Sequence, residues 1–114
     1  MLKEFVIEAI NALSFRVKVR RDGRSAGEAI FAEVPDPAHG QVWQERVDIN
    51  PKDTGLGLAT EPLLAGDEHI RKTKPGGLRR FLATNGNQFR KYTDQIPDEN
   101  LVDMGDDGSI YFEL

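Results

Sequence analysis

The sequence contains no cysteine, which removes disulfides, thiolate nucleophiles and the usual structural zinc sites together. Core packing alone must hold the fold. Long apolar runs are also missing: nothing approaches the roughly 20 residues needed to cross a bilayer. The N-terminal stretch MLKEFVIEAINAL carries Lys3, Glu4 and Glu8, unlike the apolar region of a signal peptide. The chain therefore reads as cytoplasmic, with no membrane partner. Histidine is scarce. His39 and His69 are the only two, neither has a second histidine at a ligand spacing, and both are expected at the surface with no metal site.

Charge of one sign is missing from whole stretches. Between His69 and Thr93 there are seven Lys and Arg and no acidic residue; between Asp94 and Leu114 there are seven Asp and Glu and no cation. The overall charge of -4 argues against indiscriminate coating of nucleic acid, but that average conceals a cationic block followed by an anionic tail.

At 114 residues the chain is large enough for one core and too small for two, so residues 1–114 are read as a single domain. In residues 2–13 the apolar set Leu2, Phe5, Val6, Ala9, Ile10 and Leu13 recurs at spacings of three and four, the signature of an amphipathic helix. FRVKVR then alternates strictly, with Phe15, Val17 and Val19 on one face and Arg16, Lys18 and Arg20 on the other. Residues i and i+2 lie about 6.8 Å apart along a strand, so the three cations form a row.

AIFAEV, ended by Pro35, and QVWQERVDI, with Trp43, Val47 and Ile49 in one phase, read as further strands of an antiparallel meander. Thr60 is placed to cap a short helix with Pro62 in its first turn, running through Leu63 and Leu64 to about Ala65 or beyond. Leu78, Phe81 and Leu82, then Phe89 and Tyr92, predict two short helices or one kinked helix around an Asn85-Gly86 stop. SIYFEL alternates as a terminal strand with Ile110, Phe112 and Leu114 inward. The expected architecture is α+β: a mostly antiparallel sheet of about four strands packed on an N-terminal helix and two or three short helices.

Five stretches approach catalytic or ligand-binding motifs. GRSAG, Gly23 to Gly27, matches the G-x-S-x-G elbow that holds a nucleophilic serine at a strand-to-helix turn. Ser25 has little β-α-β context and no oxyanion segment after it, whereas Asp22-Gly23 and Gly27 suit a hairpin loop. GDEHIRKT places Lys72 and Thr73 as a phosphate-binding loop would, but Arg71 replaces the second glycine, and that glycine lets the amides wrap a phosphate. GLG, Gly55 to Gly57, lacks the third glycine of a dinucleotide loop. DMGDDGSIYFEL partly matches a calcium loop but has Leu114 where the bidentate glutamate belongs. The basic block has the rhythm of a helix-turn-helix, yet Asn85 and Asn87 occupy positions that motif makes apolar. No cofactor follows from any of them.

Function is therefore expected from a surface and not from an enzyme. The leading expectation is a non-catalytic protein-binding module, a small accessory, inhibitor or immunity-type protein. It would recognise a protein partner through segregated cationic and anionic surfaces, with Arg16, Lys18, Arg20, Arg79, Arg80, Arg90 and Lys91 as contacts. The alternative is a nucleic-acid-binding accessory protein using the basic segment 69–92, where Phe81, Phe89 and Tyr92 interleave with the cations, and the basic strand face 16–20.

Overall fold

The structure, a computed structural model, describes residues 1–54, 58–82 and 89–114. Among these, seven strands form one mixed sheet: β1 (Lys3–Asn11), β2 (Ser14–Arg21), β3 (Arg24–Asp36), β4 (Gly40–Ile49), β5 (Leu78–Leu82), β6 (Leu101–Met104) and β7 (Ser109–Glu113). The strand order is β1-β2-β3-β4-β5-β7-β6. One long helix, α1 (Thr60–Thr73), crosses from β4 to the parallel strand β5, and a single turn, α2 (Arg90–Thr93), follows. A four-stranded sheet packed on an N-terminal helix is thus not the architecture of this protein.

The first correction is β1, which occupies the stretch expected to be helical. Its residues pair antiparallel with β2 from Lys3↔Arg21 to Ala9↔Phe15. Phe5 lies in the phase of Val19 and Ile7 in that of Val17, on the helix side, while Val6 lies with Lys18 on the other side. A strand with apolar side chains on both faces has no clean period of two, and its pattern imitates a helix. The β-branched Val6, Ile7 and Ile10 suit a pleated surface, and β2 supplies a complete ladder.

The second correction is β5, also expected to be helical. It pairs with β7 from Leu78↔Glu113 to Leu82↔Ser109 and meets β4 at Trp43↔Arg79. Arg79 and Phe81 alternate into the interior. A cation in an inward phase hides the apolar alternation by which a strand is recognised. Asn85-Gly86, the stop expected beyond it, lies outside the described residues, as does GLG.

FRVKVR forms β2, and the next two segments form β3 and β4 of an antiparallel meander. Asp22 (φ 51°) and Gly23 (φ 82°) close the β2–β3 hairpin with two left-handed residues, the type I′ requirement. Gly27 follows inside β3 at φ 148°, where the register with β2 shifts. A side chain there would collide with the Asp48 carbonyl and the Ile49 backbone.

Helix α1 buries Leu63, Gly66, Asp67 and Ile70, positions spaced three and four apart on one face. They meet Phe15, Val17, Ala29, Phe31 and Trp43 from the sheet, and Phe81, Tyr92 and Phe112 complete the core. Gly66 lets the helix approach the Phe31 ring, which any Cβ would strike. The shortest dimension of the molecule is 21 Å, the thickness of one sheet plus one helical layer at about 10 Å each. Among the described residues, no helix is long and apolar enough to cross a membrane.

Candidate functional site

Because both helices pack on one side of the sheet, its other face carries no second layer among the described residues. Cross-strand pairing determines what that face presents. Glu4 lies beside Arg20 and Glu8 beside Arg16; Lys18 and Glu28 are opposite one another, as are Glu28 and Asp48, and Ile30 separates Arg16 from Arg46. Glu4, Glu8, Lys18, Arg20, Arg46 and Asp48 are all exposed. The cation row of β2 is therefore flanked by acids on both sides, Glu4 and Glu8 on β1 and Glu28 on β3, within a mixed-charge ladder.

The ladder is geometrically tight at its centre. Lys18 Nζ lies 2.7 Å from Glu8 Oε2, Arg16 Nη1 lies 3.6 Å from Glu28 Oε2, and Arg16 Nε lies 3.9 Å from Glu8 Oε1. The hydrogen bond and charge of Lys18 hold the Glu8 carboxyl below its ordinary range, with Arg16 adding to the effect. Arg20 bends back to donate to the Gly23 carbonyl at 2.8 Å. Between β2, β3 and β4 the face sinks into a shallow groove of about 350 Å³, walled by Arg16, Lys18, Arg20, Glu28 and Asp48 with Ser25 in its lining.

A second polar cluster lies on the same face where the β3–β4 hairpin meets β5, β6 and β7. Arg80 Nη2 donates to Asp107 at 2.6 Å, Tyr111 donates its hydroxyl to Asp36 at 3.0 Å, and His39 Nε2 lies 2.8 Å from Asp103. The basic block and the acidic tail thus neutralise each other inside one molecule at Arg80. The Asp103 carboxyl sits below its ordinary range, first because the Met104 N–H donates to it and then because of His39. His39 is half-buried against the Tyr111 ring, with centroids 4.2 Å apart.

The seven cations expected as contacts do not share one surface. Arg16, Lys18 and Arg20 stand together on β2, and Arg80 is half-buried at the far end of the same face. Arg90 and Lys91 are exposed on α2, in the helical layer. Arg79 is fully buried and reaches no partner. Its Nε donates to Asp67 at 2.8 Å and its Nη1 to Glu45 at 2.5 Å, while Tyr92 donates its hydroxyl to the other Asp67 oxygen at 2.5 Å. Burial works against the charge on Arg79, but the facing Tyr92 oxygen and the Asp67 and Glu45 carboxylates outweigh it and raise its pKa. Burial raises Tyr92 well above its ordinary value. This cluster ties α1 and α2 to the sheet and belongs to the core.

Among the described residues, Ser25 and the two histidines do not come together. Ser25 is exposed on strand β3 and not at a strand-to-helix turn. His39 follows the opposite end of β3, about 35 Å along the strand, and His69 packs on Phe15 at the other end of β2. The phosphate-loop near-match lies within α1, and the calcium-loop near-match is the β6–β7 hairpin. Among the described residues no three acidic or imidazole side chains converge as a metal would require. No known family, curated protein or solved structure matches the chain. The reading of function therefore rests on the geometry and charge of the uncovered face.

Reading the sequence singled out the β2 cations but missed Glu8, Glu28, Arg46 and Asp48. Their signal is the cross-strand register: that of Glu28, Arg46 and Asp48 lies in the expected meander, and that of Glu8 appears only once residues 3–11 are treated as a strand.

Proposed function

We propose that this is a cytoplasmic, non-catalytic protein-binding module, an accessory, inhibitor or immunity-type protein, and that it docks its partner on the uncovered face of the sheet. The observation that carries this reading is the mixed-charge ladder around Arg16, Lys18 and Arg20, set on four paired strands with no layer above it among the described residues. Such a face is held rigid by its ladder hydrogen bonds, so a partner incurs little ordering cost on docking. A fixed pattern of mixed charge rewards one orientation and repels a shifted one, which is specificity more than raw affinity. The contact set is accordingly Arg16, Lys18 and Arg20 with Glu28, Arg46 and Asp48. Arg79 leaves the set, and Arg90 and Lys91 serve as controls.

The interleaved acids weigh against a phosphate-tracking stripe, because Glu8 and Glu28 already engage Arg16 and Lys18. Affinity capture from the native host, with and without nuclease, tests the proposal. A protein partner retained by the wild type after nuclease should be lost when Arg16, Lys18 and Arg20 are all changed to alanine, and kept when Arg90 and Lys91 are. Retention by the triple variant refutes docking on this face, and loss on nuclease treatment assigns the partner to nucleic acid.

A further inference from the structure

The two edges of the sheet are guarded very differently. At one end β6 has only four residues, a register shift between Leu101 and Asp103, and a charged Asp103. Short length, bulges and charges are the devices that stop an edge from recruiting another strand. At the other end β1 runs nine residues, and its only irregularity comes after Ala9. It contains no proline; its single cation, Lys3, is engaged by Glu61 at 3.2 Å, and of its two exposed glutamates, Glu4 and Glu8, the second is engaged by Lys18 at 2.7 Å. Val6 is 44% exposed and Ile7 39%, with Met1, Leu2, Ile10 and Leu13 also uncovered around them.

The backbone of β1 has a defined polarity. Leu2 accepts from the Asp22 N–H at 2.8 Å, and its own N–H donates to the Asp22 side chain at 2.8 Å, so its groups face β2. By the alternation of an antiparallel strand, Glu4, Val6 and Glu8 also bond toward β2. Phe5, Ile7 and Ala9 then turn their N–H and C=O groups outward, where no strand among the described residues receives them.

We propose that β1 is the interface for a second copy of this chain, the two β1 strands pairing antiparallel about a two-fold axis at Ile7 to form one continuous sheet across the dimer. An axis normal to the sheet keeps the helical layers on the same side, so residues pair only within one face. Charge then disfavours the two registers next to one centred on Ile7. Centring on Val6 sets Glu4 opposite Glu8 of the partner twice, and centring on Glu8 sets two glutamates against each other, both unfavourable. Centring on Ile7 sets Ile7 on Ile7, Phe5 on Ala9 and Glu8 on Val6, with no like-charge pair. This register satisfies the outward groups of Phe5, Ile7 and Ala9 with about six backbone hydrogen bonds. It also covers the stretch of β1 around Ile7 and Ala9, which the protein's own layer leaves exposed.

Sedimentation velocity from about 1 µM to about 500 µM is the test, a range that spans moderate dimer affinities. The wild type should pass from 12.8 kDa to twice that mass. Ile7→Lys and Ile7→Glu should each remain monomeric, and an equimolar mixture of the two should recover the dimer, because residue 7 faces residue 7. With no native cysteine, Ile7→Cys gives a second readout. Hydrogen-bonded antiparallel partners have Cα atoms about 5.5 Å apart, within disulfide reach, so mild oxidation should link Ile7→Cys chains and leave Val102→Cys on the opposite edge unlinked. The cysteine variant decides the matter if a charged variant fails to fold, as followed by circular dichroism. A wild type that stays monomeric throughout, a dimer that survives Ile7→Lys, or an Ile7→Cys chain that does not cross-link overturns the proposal.

Discussion

Replacing Arg79 with methionine removes the cation that faces the Asp67 and Glu45 carboxylates in the core. The guanidinium is fully buried, is bound by Asp67 and Glu45, donates to the Arg80 carbonyl at 2.6 Å and lies 5.2 Å from the Phe31 ring. Methionine refills much of the volume but leaves Asp67 and Glu45 without their counter-charge. Breaking a buried pair from one side costs about 3–5 kcal/mol. The value here should fall near the lower end, because Tyr92 still donates to Asp67 and Glu45 can accept a proton. Against a total of about 6–15 kcal/mol for a domain of this size, such a loss is severe. With a urea slope of about 1–3 kcal/mol per molar, the midpoint should fall by about 1–3 M. Trp43, the sole tryptophan and 4% exposed, reports the transition by fluorescence.

The pH dependence of that loss distinguishes a buried-charge penalty from simple loss of packing. Burial already raises the Glu45 carboxyl above its ordinary value, and the attraction of Arg79 is what restrains the rise. Without Arg79 the folded-state pKa climbs further, so the folded chain binds a proton that the unfolded chain does not at mildly acidic pH. An acid with a raised folded pKa gains stability as pH falls through that value. The cost of Arg79→Met should therefore be smaller at pH 5 than at pH 7. A cost under about 1 kcal/mol, or one independent of pH, would refute the assignment of Arg79 as the electrostatic anchor of the core.

Two other substitutions test the packing and the far end of the sheet. Gly66→Ala adds a methyl against Phe31, whose ring is itself stacked on Phe15 at 5.0 Å and parallel to it; overpacking should cost about 1–3 kcal/mol, outweighing the roughly 1 kcal/mol gain in helix propensity, and calorimetry should record a lower Tm. Asp53, in the 3-10 turn after β4, receives Arg24 through both oxygens and Arg21 at 2.9 Å, and these hydrogen bonds, Arg24 first, depress its carboxyl from 3.8 to about 2. A depressed folded pKa contributes stability above the unfolded value that is lost as pH falls from about 4 to about 2, so Asp53→Asn should flatten the acid-unfolding curve of the wild type in that window, and an unchanged curve would rule the contribution out.

Local chemistry decided part of this fold before any tertiary contact. The strict alternation of FRVKVR has no other satisfactory conformation than a half-buried strand, and Asp22-Gly23 supplies the left-handed pair that a two-residue hairpin needs. SIYFEL is equally local, whereas the helix expected to open at a Thr60 cap begins behind Ala59 with no side-chain cap and runs on to Thr73. What the chain did not disclose by itself are the features that depend on residues far away in sequence. LRRFL is a strand because β7 pairs with it and because Asp67 and Glu45, from α1 and β4, make burial of Arg79 tolerable. The first thirteen residues present helical spacing, yet they form an edge strand, since β2 offers a ladder and α1 covers only part of one face. The same dependence governs the candidate site. The cations of β2 were visible, but whether they form a basic stripe or one row of a mixed-charge ladder depended on which acids pairing set beside them. Hairpin turns and side-chain periodicity act over a few residues, whereas strand order and buried ion pairs join segments dozens of residues apart, and only the folded chain brings those together.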